Sequence, residues 1–247
     1  MTASRLFPAA LLASLALLAP GSAFAFFGTT IPPSGKVASE NRDAKGFSGV
    51  SLSIPGTVVV RQGEPASVSV EADDNLLPEI ETVVDRGVLK VRFKRSLNIA
   101  GRATIRLLVV APKVESLTAS GSGDILSEAI RSDALDISVA GSGDIRIAKL
   151  EATSLKVSVY GSGDVKAAGK AETVSVSISG SGDVDAARLE ARQAKVSIAG
   201  SGDVTLWVRE SLDVSTVGSG DVRYHGDPAV KKSTIGSGSV KRLGPAP

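Results

Sequence analysis

The string Gly-Ser-Gly-Asp occurs six times in this chain, beginning at Gly121, Gly141, Gly161, Gly180, Gly200 and Gly218, and a seventh copy at Gly236 reads GSGS, with Ser239 in the Asp place. The steps between copies are 20, 20, 19, 20, 18 and 18 residues. A fixed period of this length marks a repeat architecture, in which a unit too small to bury its own apolar face stacks on copies of itself. The flanks keep the period. Four residues before each first Gly stand Leu117, Ile137, Val157, Val176, Val196, Val214 and Lys232, and two before it stand Ala119, Val139, Val159, Ile178, Ile198, Thr216 and Thr234. Between them runs a hydroxyl column, Thr118, Ser138, Ser158, Ser177, Ser197, Ser215 and Ser233, and four residues after the first Gly every copy has Ile or Val. Each unit therefore reads as an alternating strand, a tight turn and a second strand.

These features predict an all-β chain folded as a single-stranded parallel β-helix with coils of 18 to 20 residues carrying GSGD turns. Equivalent residues of successive coils would lie one above another at about 4.8 Å, so seven coils would form a prism about 30 Å tall. A sandwich or antiparallel sheet also has closely spaced turns, but there each turn meets different surroundings and has no reason to repeat its sequence. Composition agrees with the stacked design. Fourteen of the 26 glycines lie in the seven triplets, and aromatic residues make up only 4% of the chain, as a narrow core of stiff aliphatic ladders requires. Trp207, Tyr224 and Tyr160 are expected to be packing or rim residues.

From Phe47 to Pro112 the chain also alternates but lacks GSGD; Leu52-Ser-Ile-Pro-Gly followed by Val58-Val-Val resembles a degraded copy. These strands are expected to continue or cap the helix, while Lys232, Ser239 and the closing Gly244–Pro247 look like a cap at the other end. Ahead of the folded part, Arg5, the apolar run from Leu6 to Pro20 and the small-x-small pattern of Ala23-Phe24-Ala25 read as a signal peptide. The resulting organisation is a signal peptide over 1–25, a linker over 26–45, a β-helix domain over 46–243 (N-terminal strands and cap 46–115, GSGD coils 116–243), and a tail over 244–247.

The segment FSGVSLSIPGTVVVRQGEPASVSVEADDNLLPEIETVVDRGVLKVRF followed by GSGD coils resembles the bacterial family of putative autotransporter adhesins with a head GIN domain, from about Phe47 to Val240. The resemblance implies an exported all-β protein similar to single-stranded parallel β-helices. It carries no functional residues over to this chain.

Composition narrows the chemistry. There is no cysteine, so disulfides, thiolate metal sites and cysteine nucleophiles are excluded, and His225 is the only histidine. The 28 basic and 26 acidic residues are mixed along the chain, which gives no electrostatic footprint for nucleic acid or an acidic membrane. The most chemical feature is the column Asp124, Asp144, Asp164, Asp183, Asp203 and Asp221. Carboxylates about 4.8 Å apart repel by about 0.9 kcal/mol per adjacent pair in water. They must be solvated, hydrogen-bonded to turn amides or neutralised by a cation such as Ca²⁺, and the turn-amide reading is preferred. Asp73 and Asp74 read as turn residues, and His225 as an exposed loop residue. No catalytic, cofactor-binding or metal-ligating residue is nominated. The expectation is an exported, non-catalytic solenoid with no transmembrane segment in its mature chain, periplasmic, at the cell surface or secreted, serving as a binding, adhesion or structural module of the envelope whose partner is an envelope component, a glycan or a protein. The alternative is a polysaccharide-active enzyme or a Ca²⁺-binding β-helix.

Overall fold

The computed structural model describes residues 29–246; the expected signal peptide lies outside the described residues. The chain is a β-solenoid of about six turns. The sequence suggested seven coils, but seven GSG corners delimit only six full intervals. Its strands run in chain order β1 (Thr29–Ile31), β2 (Val37–Arg42), β3 (Gly49–Leu52), β4 (Thr57–Gln62), β5 (Ser67–Asp73), β6 (Ile80–Asp85), β7 (Val88–Phe93), β8 (Leu97–Ile99) and β9 (Ile105–Ala111). Then come β10 (Ser116–Gly121), β11 (Asp124–Ser127), β12 (Ile130–Gly141), β13 (Ile145–Gly161), β14 (Val165–Gly180), β15 (Val184–Gly200), β16 (Val204–Gly218), β17 (Val222–His225), β18 (Ala229–Gly236) and β19 (Val240–Gly244). From β13 to β16 each strand wraps a whole coil between one GSG corner and the next, a course that β11 and β12 share in the coil before them, and neighbours pair in parallel with the repeat columns in register, as in Ile137↔Val157↔Val176↔Val196↔Val214.

The corner is built by two differently constrained glycines. The first has positive φ in every copy, from +106° at Gly121 to +141° at Gly180, a region that side chains oppose. At the second, the limit is the coil below: a Cβ on Gly182 would sit less than 3 Å from the carbonyl oxygen of Gly163. Local turn conformation and inter-coil contact thus demand the same residue for separate reasons.

The apolar columns point inward and form one core. Leu117, Ile137, Val157, Val176, Val196 and Val214 are each no more than 2% exposed, and the hydroxyl column between them faces outward, apart from the buried Ser158. At the N-terminal end, β3 and β4 lie in parallel register against β10 and β11, with Val50↔Leu117 and Val58↔Ile125, so the Ile54-Pro55-Gly56 corner stands where GSG would be. One rung further, β7 and β9 pair in parallel with β3 and β4. The N-terminal strands therefore continue the solenoid, and then close it. Antiparallel β5 covers β9, β2 covers β5, and β6 covers β7, which satisfies edges that would otherwise be open.

The stretch 26–45 differs from the expected linker, since it contains β1, parallel to β8, and β2. Strand β2 (VASENR) has no apolar face because it is an outer strand with most of its side chains exposed. Its place is set by main-chain pairing, which leaves no hydrophobic period to read.

Candidate functional site

Two faces of the solenoid bring chemical groups together. On the corner face, each Asp of the ladder accepts through Oδ1 the amide N–H of its counterpart one coil on. Asp144 N lies 3.0 Å from Asp124, Asp164 N 3.0 Å from Asp144, Asp183 N 3.0 Å from Asp164, Asp203 N 2.8 Å from Asp183 and Asp221 N 2.9 Å from Asp203. The series ends where Asp221 receives both the amide and the hydroxyl of Ser239, each at 2.9 Å. Several outer oxygens are neutralised by guanidinium: Arg146 meets Asp144 at 2.7 Å, and Arg223 bridges Asp203 at 3.0 Å and Asp221 at 3.1 Å. The two Ser239 bonds, aided by Arg223, hold the Asp221 carboxyl below the usual carboxylate range. Repulsion along the column is thus offset by an amide in each gap, and the carboxylates act as inter-coil braces.

The remaining acids and the histidine also find structural work. Asp73, 3% exposed, accepts the amides of Gly35 at 2.7 Å and Thr104 at 2.9 Å, tying two loops to the end of β5. The amide of Asp74 donates to the Lys36 carbonyl. His225 is not in a loop, as expected, but ends β17 in register with Trp207. Its Nδ1 lies 2.8 Å from the Pro245 carbonyl oxygen. The ring is half-buried, and the short β17 gives too little pattern to show as a strand. Among the described residues, no group of three or more His, Cys, Asp or Glu side chains gathers in a geometry to hold a metal ion.

The second face is a groove of about 1120 Å³ that runs across the coils. It follows the bend that each coil makes after its corner, and its wall is a charged column that alternates in sign: Arg131, Glu151, Lys170, Glu190, Arg209. Register places Arg131 beside Glu151, Glu151 beside Lys170 and Lys170 beside Glu190. Arg131 hydrogen-bonds Glu151, Lys170 approaches Glu190 at 3.7 Å and Arg209 reaches Glu190 at 3.0 Å. A parallel file has Arg192 between Glu172 at 3.8 Å and Glu210 at 2.7 Å. Arg131 holds the Glu151 carboxyl below its usual range. Four rungs at the strand spacing make this wall about 19 Å long. It presents donors and acceptors by turns to anything lying along the solenoid axis, with almost no net charge and no aromatic platform.

The sequence reading missed this column. Its members stand 10, 10, 9, 10 and 9 residues after the first Gly of their turns, because bulges such as those between Ile147 and Leu150 and between Lys166 and Gly169 slip the register at the bend. The signal that was available is the run of opposite charges one coil apart, which becomes visible only when coils are aligned on the bend instead of on the turn.

No curated protein matches this sequence. Among solved structures, a putative adhesin of Bacteroides fragilis is 26% identical, with a TM-score of 0.80 over 86% of this chain and 100% of its own. A putative adhesin of Parabacteroides merdae is 20% identical, with a TM-score of 0.68 over 87% of this chain and 100% of its own. A putative lipid binding protein of Parabacteroides distasonis is 23% identical, with a TM-score of 0.72 over 87% and 100%; at these lower identities the likeness is one of fold. Residues 46–228 match the family described as putative auto-transporter adhesin, head GIN domain, and the chain belongs to that family.

Proposed function

We propose that this chain is an exported, non-catalytic binding module of the cell envelope whose groove holds an extended polar polymer, an envelope glycan in the first instance. The observation that carries the reading is the alternating column Arg131–Glu151–Lys170–Glu190–Arg209. Paired carboxylates and cations offer each hydroxyl-bearing unit both acceptors and donors, while their near-neutral sum gives no advantage to a polyanion or a polycation. The groove is long, shallow and repetitive, which suits contact spread along a chain and not work at one bond. Among the described residues, four carboxylates are displaced from their usual range, Glu79, Asp85, Glu151 and Asp221, all of them downward through hydrogen bonds to neighbours. A general acid needs the opposite shift. Family membership and the 26% identical adhesin support surface binding, and the apolar segment Leu6–Pro20 supports export.

The test is co-sedimentation of the purified protein with insoluble envelope polysaccharide, beside a variant carrying Glu190→Lys and Arg192→Glu. Reversing two central charges leaves like charges adjacent in both files, and retention is expected to fall about tenfold or more, the order expected for losing one or two charge-assisted hydrogen bonds. Equal retention of the variant removes the groove from the proposal. Turnover of any polysaccharide in a panel, lost on Asp→Asn change, removes the non-catalytic reading.

A further inference from the structure

The charges are evenly mixed over most of the chain but not in its last coil. Ala229–Gly244 holds Lys231, Lys232, Lys241 and Arg242 and no acidic residue, so this coil alone carries twice the whole chain's net charge of +2. It is also where apolar side chains are left uncovered. Of eight large exposed hydrophobic residues among those described, four lie here or directly beside it: Ile235 at 69%, Val217 at 53%, Leu243 at 44% and Val230 at 38% exposed. Ile235 pairs in register with Val217, and every residue of β18 is exposed. One end of the prism is therefore a tip that is both cationic and aliphatic.

The tip is poorly made for another coil or another copy of itself. Lys232 stands in the core column above Val214, and Arg242 above Tyr224 and Leu206, so two positions that are apolar in the coils directly below turn to cations. Ser239 satisfies Asp221 but has no carboxylate to receive the amide of a further coil. Inward charges on an edge resist strand pairing, and two such tips facing each other would oppose four cations to four. Arg242 is anchored by a 2.6 Å bond to the Gly226 carbonyl and a 3.4 Å approach to Asp227. Among the described residues, the three lysines have no ion-pair partner.

We propose that this C-terminal tip docks on an anionic lipid bilayer. Val230, Ile235 and Leu243 enter the headgroup layer, while the lysines spread their charged ends among acidic headgroups, an arrangement that favours binding when apolar area and basic charge coincide. The solenoid then stands away from the surface with its groove free along its length, and the inference does not depend on what the groove binds.

The experiment uses the chain beginning at Phe26, which retains every described residue, with vesicles of phosphatidylcholine alone and of phosphatidylcholine mixed with phosphatidylglycerol. Binding to the mixed vesicles only, weakened by added salt, is expected. Each basic residue near an anionic surface is worth about fivefold in partition, so Lys231→Glu with Lys241→Glu should lower it by about 25-fold or more. Ile235→Ser should weaken binding at unchanged salt dependence. If the double reversal loses its fold by circular dichroism, Lys231→Gln with Lys241→Gln serves in its place. Binding that is equal on both vesicle types, or that survives the loss of both lysines, overturns the proposal. So does a tip-to-tip dimer in solution, or binding abolished to the same extent by reversing Arg192 and Glu190 in the groove.

Discussion

Substituting the same turn glycine in two different coils separates the demands of the turn from those of the stack. Gly121 and Gly180 both open a GSGD copy and both have positive φ, +106° and +141°, so alanine at either site meets backbone strain of about 1–2 kcal/mol. Their surroundings differ. A Cβ on Gly121 has nothing within 4 Å, whereas on Gly180 it would stand less than 3 Å from the Gly161 carbonyl oxygen. That oxygen already accepts the amides of Ser181 at 2.8 Å and Gly182 at 3.1 Å. Moving it away weakens two hydrogen bonds worth about 1 kcal/mol each, and the forced separation of coils adds about 1–3 kcal/mol of overpacking. Gly121→Ala is therefore expected to cost about 1–2 kcal/mol and Gly180→Ala about 4–7 kcal/mol. Urea unfolding followed by far-ultraviolet circular dichroism and by Trp207 fluorescence measures both, provided the two probes coincide and the slopes match the parent. Equal destabilisation would mean that the motif is conformational only, and that coil-on-coil contact does not explain the repetition of glycine.

Other substitutions test the braces and the core. Asp164→Ala removes the acceptor of the Asp183 amide and is expected to cost about 1–2 kcal/mol, while Asp164→Asn keeps a carbonyl oxygen there and should cost less; equal losses in urea would show that the charge, not the hydrogen bond, matters. Thr216 is 1% exposed and its hydroxyl has no partner, so Thr216→Val should raise stability by about 1 kcal/mol or more, read as a higher urea midpoint at unchanged slope. The folded-state pKa of Asp221 is depressed by Ser239 and Arg223, so its contribution is present above the ordinary carboxylate pKa and is lost as pH falls through the depressed value. Thermal midpoints of the parent and of Asp221→Asn should accordingly differ at neutral pH and converge in acid.

What could be read from the chain depended on whether a residue's partner lies at a constant distance in sequence. The core columns and the Asp brace do: Ile137, Val157, Val176, Val196 and Val214 keep the same offset from their turns, so aligning the GSGD strings already aligned them in space. The groove does not. Glu190 meets Lys170 and Arg209 only because the chain bulges at the bend, and a one-residue slip flips alternate side chains between faces. Strand β2 escaped for a different reason, since an outer strand that pairs through its main chain needs no apolar face. The terminal coil shows how far the repeat itself governs. It keeps the glycines, serines and Val240 of the pattern, yet exchanges the brace for Ser239 and core aliphatics for Lys232 and Arg242. The turn is kept because Gly236 still has positive φ and a Cβ on Gly236 or Gly238 would press on a carbonyl of the coil below, while the brace and core positions that change are those that would meet a coil above. Among the described residues no strand pairs with β18 or β19 on that far side, and there the inter-coil positions carry charge.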